Sequence, residues 1–295
     1  MKKLGFGLMR LPMLDKDNYN SVDMKCFEKM ADTFMANGFT YFDTADRSHS
    51  GYSEIAFREA VVRRYPRFAY TITDNLPLFM IQDEREMLTF FENQLERLGT
   101  DYIDYYWIHG LNEQTLKKAE NIQVYDFVMK KKNEGKIHHI GMCFNDKAVL
   151  LDEILTAHPE FEYVQIQLNY FDWNSEAESR LCYEVAVKHN KPVVVINPEK
   201  GDILNKIPKS AELLLKEKHP EFPVSSWAIR FAASPSYVMM VLSDMNNEQQ
   251  VEENIKYMKD FQPIDENEWQ VVEQVVRIIM EGNKGGKLNE YDYFK

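Results

Sequence analysis

Short apolar runs alternate with helical patterns along this chain, and that rhythm constrains its fold more than any other feature. Residues 4–10 read as a first strand, ended by Pro12. Residues 22–37 carry apolar side chains at helical spacing (Met24, Phe27, Met30, Ala31, Phe34), and Asn37-Gly38 supplies the stop. Residues 39–42 form a buried strand that runs into Asp43, and a helix is expected over 53–64. Further strands are expected at 68–73, 102–108, 137–143, 163–168, 192–196 and 238–242. Helices at 83–98, 124–133, 148–157, 177–189, 211–218 with 226–233, and 248–259 separate and follow them. A last helix, 267–279, has no strand after it. The count is about eight strand–helix units at intervals of roughly 25–40 residues, with strands too apolar to face water on either side. That describes an all-parallel sheet covered by helices, most economically closed as a (β/α)8 TIM barrel. A doubly wound open sheet is the alternative, but no GxGxxG follows the first strand to make a phosphate turn.

Length and charge agree with this. A chain of 295 residues suits one such barrel, which needs about 250. With no Pro/Gly/Ser linker, a single domain is expected over 1–282, followed by a C-terminal tail at 283–295. A net charge of −12 and a pI near 5.2 argue against nucleic acid, since nothing neutralises phosphates in bulk. Lys130-Lys131-Lys132 reads as a solvated helix end. No apolar run approaches the roughly 18 residues of a membrane span, and the N-terminus lacks the apolar stretch of a signal peptide. Cys26, Cys143 and Cys182 are too widely spaced to suggest a disulfide framework or a metal site, so a cytoplasmic protein without metal is expected.

Polar residues gather where the strands end. Asp43 follows the second strand, Asn75 the third, His109 the fourth, and Cys143 and Asn145 the fifth. Gln165 and Gln167 lie along the sixth, Asn197 follows the seventh, and Ser243-Asp244 follow the eighth. Each has an ordinary structural reading: an Asp after a strand commonly caps a helix, and a lone His is commonly a bonded structural residue. In a barrel, however, they converge on one mouth, and convergent polar groups mark a site.

Several motifs are more specific: Gly7-Leu8-Met9-Arg10, Phe42-Asp43-Thr44-Ala45, Ser53-Glu54, the run from Asp101 to His109, Gly135-Lys136-Ile137 through Gly141, Gln165 through Asn169-Tyr170, and Trp227-Ala228-Ile229-Arg230. Through them nearly the whole chain resembles the aldo-keto reductases, and most closely a bacterial branch whose members often carry a C-terminal iron–sulfur segment. The cysteines of that segment are absent after Ile279, so no cluster is expected. The resemblance implies hydride transfer from NADPH or NADH to a carbonyl. A tyrosine donates the proton, a lysine tunes it, an aspartate pairs with the lysine, and a histidine orients the carbonyl. Residue by residue, the aspartate is Asp43 and the histidine is His109, but the tyrosine position holds Ser48 and the lysine position Asn75. A serine hydroxyl is far too weak an acid to replace a phenol, and loss of general-acid catalysis costs ~10²–10⁴-fold. His49, beside Ser48, and His109 are the candidate substitute acids.

The resemblance also puts nicotinamide and adenine contacts on Gln165, Asn169, Gln250 and Asn254. The loops after the seventh and eighth strands bring Asn197, Ser243, Asp244 and Asn247 to the cofactor. Asp244 stands where glycine is expected, and Asp202 adds a second acid. Either these carboxylates face the mouth, where they repel a pyrophosphate, or they point to solvent and cap helices. The expected function is an aldo-keto reductase-like barrel impaired or repurposed for carbonyl reduction, with a small-molecule ligand at its mouth. The alternative is an NAD(P)(H)-dependent oxidoreductase that uses a histidine acid. A third reading sets a cationic or sugar-like ligand among the rim acids and Tyr52, Trp107, Tyr170 and Trp173.

Overall fold

The computed structural model describes residues 2–282 except Lys16, Tyr19 and Glu176, so the expected tail lies outside the described residues. Eight strands pair in parallel and in sequence order, and β1 closes on β8. They are β1 (Leu4–Gly7), β2 (Tyr41–Asp43), β3 (Thr71–Pro77), β4 (Ile103–Leu111), β5 (Ile137–Phe144), β6 (Tyr163–Gln167), β7 (Val193–Ile196) and β8 (Val238–Asp244). The closed (β/α)8 barrel expected from the alternation is the observed architecture. Local chemistry sets the helix ends. Asp83 accepts a hydrogen bond from the Glu86 N–H at the start of Glu84–Leu98, and Gly99 ends that helix at φ 67°, where a side chain is costly. Outside the sheet, helix and strand rings interlock: Phe6 meets Phe34 at 5.4 Å and Phe42 meets Phe57 at 5.1 Å.

Side chains alternate across a strand, so every second residue enters the barrel. Tyr41, Trp107, Cys143, Tyr163, Val194, Met240 and Leu242 form a separate apolar cluster there. Glycines make room for the large members: a Cβ on Gly141 would overlap the Tyr163 ring, and one on Gly5 would come within 2.6 Å of Leu242. This packed floor fills the barrel interior. Two residues further along each strand lies the next inward position: Asp43 after Tyr41, His109 after Trp107, Gln165 after Tyr163, Ile196 after Val194, Asp244 after Leu242. The strand period itself therefore sets the lining of the mouth.

Boundaries differ from expectation where polar residues look like turns. Residues 67–69 make a 3-10 turn with Phe68 90% exposed, and β3 instead continues through Asp74-Asn75-Leu76-Pro77. Likewise β4 continues through His109-Gly110 to Leu111, and β8 through Ser243-Asp244. The helix expected over 53–64 is an α-helix (Tyr52–Phe57) that passes into a π turn (Arg58–Val62). A short helix, Leu116–Asn121, is additional. Among the described residues no helix is long and apolar enough to cross a membrane.

Candidate functional site

A cavity of about 300 Å³ opens above the floor, and Asp43, Ser48, Asn75 and His109 all line it. Thus the four positions singled out by the sequence meet in one place. Asp43 ends β2, and its Oδ1 accepts the hydroxyl of Thr73 from the neighbouring β3. Burial raises its carboxyl from 3.8 to about 7; the Thr73 hydrogen bond opposes that rise, and nearby Asp244 adds to it. The Trp107 indole N–H stands beside Asp43 but outside hydrogen-bonding geometry. Asn75 donates from Nδ2 to the Thr44 carbonyl at 3.4 Å, and its own carbonyl accepts from Gln94 Nε2 at 2.9 Å. His109 meets the Phe79 ring edge-on at 5.9 Å. Burial, then the charge of Arg47, lowers its imidazole to about 4, so the ring is neutral at neutral pH. Among the described residues, Arg47 is the single cation of the lining, which includes no Tyr or Lys, and its guanidinium lies 5.1 Å from the Phe79 ring.

Asp244 reaches this cavity because of a glycine. Gly7 pairs with Asp43 on one side and with Asp244 on the other, so the three lie at one level across β2, β1 and β8. A Cβ on Gly7 would overlap Asp244 Oδ1, so the carboxylate occupies the space that a side chain would fill. It faces the mouth, not bulk solvent. Burial raises its carboxyl; Arg10 and the Met9 backbone N–H oppose the rise, and Asp202 adds to it.

A second hollow of about 310 Å³ lies beside the first at the ends of β7 and β8. Ser243, Gln250 and Asn254 line it, as expected, but so do Glu199, Asp202, Asp244 and Glu253, against the guanidinium of Arg10 alone among the described residues. Arg10 Nη1 bridges to Asp202 at 3.4 Å. Burial, together with Asp202 and Asp244, pushes the Glu199 carboxyl up, despite a hydrogen bond from Asn205. Asn254 Nδ2 donates to Ser243 Oγ at 3.0 Å, and the Gln250 carboxamide oxygen accepts the Asn246 N–H at 2.8 Å. Asp244 lines both hollows and so stands where they meet.

Other expected residues have different placements. His49 lies outside the cavity lining; its Nε2 accepts the Leu11 N–H at 3.0 Å, which ties the loop to the chain after β1 and puts the ring proton on Nδ1. Asn169 lines neither hollow: Oδ1 accepts the N–H groups of Phe171 and Asp172, and Nδ2 donates to Asp172 at 2.8 Å. Asn247 caps the helix Glu248–Met258 by accepting the Gln250 N–H. Asn197 does line the cavity, with its side chain bonded to Gln167 and to the Gly201 N–H. Gln165 lines it too, 1% exposed, with Oε1 sealed from the cavity and without a hydrogen-bond partner among the described residues. Of the rim aromatics, Trp107 alone borders the cavity; Tyr52 and Trp173 pack on the core, and Tyr170 is buried against Phe231. Thr73 and Glu253 are additions. The signal for Thr73 was its position two residues before Asn75 on the same face of one strand.

A contrasting group of acids sits just outside the barrel wall. Arg97 binds both carboxylate oxygens of buried Glu54, reaches Asp46 Oδ1 at 2.7 Å, and neighbours fully buried Asp74. Among the described residues no group of three or more His, Cys, Asp and Glu is arranged to hold a metal.

Comparison with known proteins follows the same lines. An aldo-keto reductase from Bacillus halodurans, in its holo form, superposes with a TM-score of 0.73 at 20% identity, covering 92% of this chain and 91% of that one. One from Klebsiella pneumoniae, in complex with NADP and acetate, gives 0.74 at 17% identity over 94% and 91%. A thermostable aldo-keto reductase in complex with the inhibitor epalrestat gives 0.74 at 19% over 92% and 94%. At such identities these are likenesses of fold. No curated protein sequence matches significantly. The Aldo/keto reductase family model, however, matches residues 3–277, and the chain belongs to that family.

Proposed function

We propose that this barrel has lost ordinary carbonyl reduction and binds a small molecule in its mouth. The observation that carries this is the cavity lining: Ser48 and Asn75 stand beside Asp43 and His109, with no phenol or ammonium among the described lining residues. Asp43 accepts from a neutral hydroxyl where the resemblance implies an ammonium partner. His109, held neutral by burial, is a poor proton donor near pH 7. The loss of the general acid accounts for ~10²–10⁴ in rate, and the missing cation removes electrostatic help from the same point.

The residues present do not fit a dinucleotide cofactor. A bound pyrophosphate would share the second hollow with Glu199, Asp202, Asp244 and Glu253, against one guanidinium already bridged to Asp202. A carboxylate about 4 Å from a phosphate costs several kcal/mol at protein-like dielectric. The helix N-terminus beyond β8, where an anion is ordinarily welcome, is capped by Asn247 and carries Glu248 in its first turn.

Titration of NADPH while following its fluorescence, with parallel assays on a simple aldehyde, tests the reading. The expected result is no saturable binding at millimolar NADPH and no turnover above background. Aldehyde reduction at ordinary enzyme rates overturns it.

A further inference from the structure

We propose that the cavity carries out proton transfer beside a carbonyl. The Asp43 carboxylate takes a proton from the carbon next to the carbonyl of a small, uncharged α-hydroxy ketone or aldehyde, and the His109 N–H holds the carbonyl oxygen. This goes beyond the binding role proposed above and rests on it. The first observation is placement. Asp43 on β2 and His109 on β4 line the same cavity, and both keep part of their surface open. Thr73 occupies Oδ1 of Asp43, and among the described residues no donor is bonded to Oδ2. The second observation is the direction of the local charge. Asp244 stands at the Asp43 end, and Arg47 is near enough to His109 to act on its imidazole. A proton is therefore drawn toward Asp43, and negative charge on an oxygen is favoured at the His109 end.

Burial fits these roles: it brings the Asp43 carboxyl to about 7 and the His109 imidazole to about 4. Two groups driven apart in this way divide into a base and a neutral hydrogen-bond donor. The neutral ring offers its N–H to an enolate oxygen without having to surrender the proton. In the first step the C–H bond breaks, its electron pair forms the C=C bond of an enediolate, and the carbonyl π pair moves onto oxygen. Asp43 then returns the proton to the former carbonyl carbon, while the hydroxyl proton passes to the former carbonyl oxygen. Ser48 lines the cavity, and a hydroxyl can accept and donate in that passage. One carbon is oxidised as its neighbour is reduced, so a ketone becomes an aldehyde and no cofactor takes part. The carboxylates of Asp202 and Asp244 disfavour a phosphate, and about 300 Å³ is at the small end of ligand pockets. Around Asp43 the other titratable groups are Tyr41, Tyr163, Cys143 and Asp74, for all of which burial favours the neutral form. The remaining charged groups of the lining are Asp244, Arg47 and Asp46, the last bound to Arg97. The working form of Asp43 is the carboxylate, so the rate rises about tenfold from pH 6 to pH 8 and levels off above.

The test is proton NMR of dihydroxyacetone in deuterium oxide with the full chain and without NADPH. It follows loss of the CH2 signal to deuterium and the appearance of glyceraldehyde between pH 6 and pH 8. The expected result, after subtraction of the buffer rate, is exchange in proportion to protein concentration with the tenfold rise in pH stated above. Asp43→Asn should lower the rate by ~10²-fold or more and abolish the rise. His109→Gln should lower it by ~10²-fold and leave the midpoint of the rise in place. Two variants on different strands keep the test valid if one of them fails to fold. Exchange no faster than buffer with the unaltered protein, or unchanged exchange in a folded Asp43→Asn variant, overturns the proposal. Reduction of dihydroxyacetone by NADPH is assayed separately and bears on the earlier reading alone. Reduction at ordinary enzyme rates counts against the loss of carbonyl reduction, whereas absence of both reduction and exchange removes the proton transfer and leaves that reading standing.

Discussion

Asp43 and Asp74 stand on neighbouring strands, one facing into the barrel and the other facing the helices outside, and their surroundings are opposite. Asp74 shares its buried space with Glu54, and the guanidinium of Arg97, bonded to Glu54 and Asp46, neighbours the group. Asp43 shares its space with Asp244 and a cavity, and the nearest donor to its oxygen is the Thr73 hydroxyl. Both groups pay for desolvation. The lesson is that acids sealed against a cation are architecture, whereas acids facing an opening are available to something that arrives from outside.

The comparison can be broken or sharpened by experiment. Arg97→Leu should have the largest effect, about 3–5 kcal/mol of lost stability in urea denaturation, because it leaves buried Glu54 and Asp74 without their cation. A loss below about 1 kcal/mol would erase the distinction between the two groups. Next is Gly7→Ala, expected to cost roughly 1–3 kcal/mol by forcing Asp244 aside. The cost should largely vanish in an Asp244→Ala background, and a double-mutant cycle measures the difference. Asp43→Asn should act through pH. The folded state raises this carboxyl to about 7 and so holds its proton more tightly than the unfolded chain, which makes stability decline as pH rises from about 4 to about 7. The substitution should flatten that part of the stability–pH curve and add about 1–2 kcal/mol at pH 8, reduced from the full shift because Asp43 is only partly shielded from water at the mouth. Asn247→Ala should be the smallest, about 1 kcal/mol from a lost helix cap, read in urea denaturation.

Much of this was legible in the sequence. The helix Ala148–Ala157 has the limits that its apolar spacing indicates, and Glu84–Leu98 begins and ends at its Asp and Gly signals. Strand ends were harder. Asp74-Asn75-Leu76-Pro77 and His109-Gly110 have turn composition, yet remain in strands because Asn75 and His109 face the cavity and Asp74 faces Arg97. Tertiary surroundings overrode local preference there. Tyrosine and aromatic content made 68–70 look like a strand, but among the described residues nothing covers Phe68, which is exposed. In the site, Asp43, Asn75 and His109 could be gathered from their positions after successive strands, whereas Ser48 came from the family resemblance alone. The approach of Asp244 to Asp43 could not, because it depends on how β8 registers with β1 when the barrel closes, a contact between the two ends of the chain. His49 and Asn169 were chemically eligible, but backbone N–H groups claim them, and a one-dimensional reading carries no sign of that.

The bare backbone at Gly7 makes positions 7 and 244 one unit: a methyl group at the first and the present pose of the carboxylate at the second compete for the same few cubic ångströms. Any redesign of the mouth that changes one of the two residues therefore also resets where the other can point.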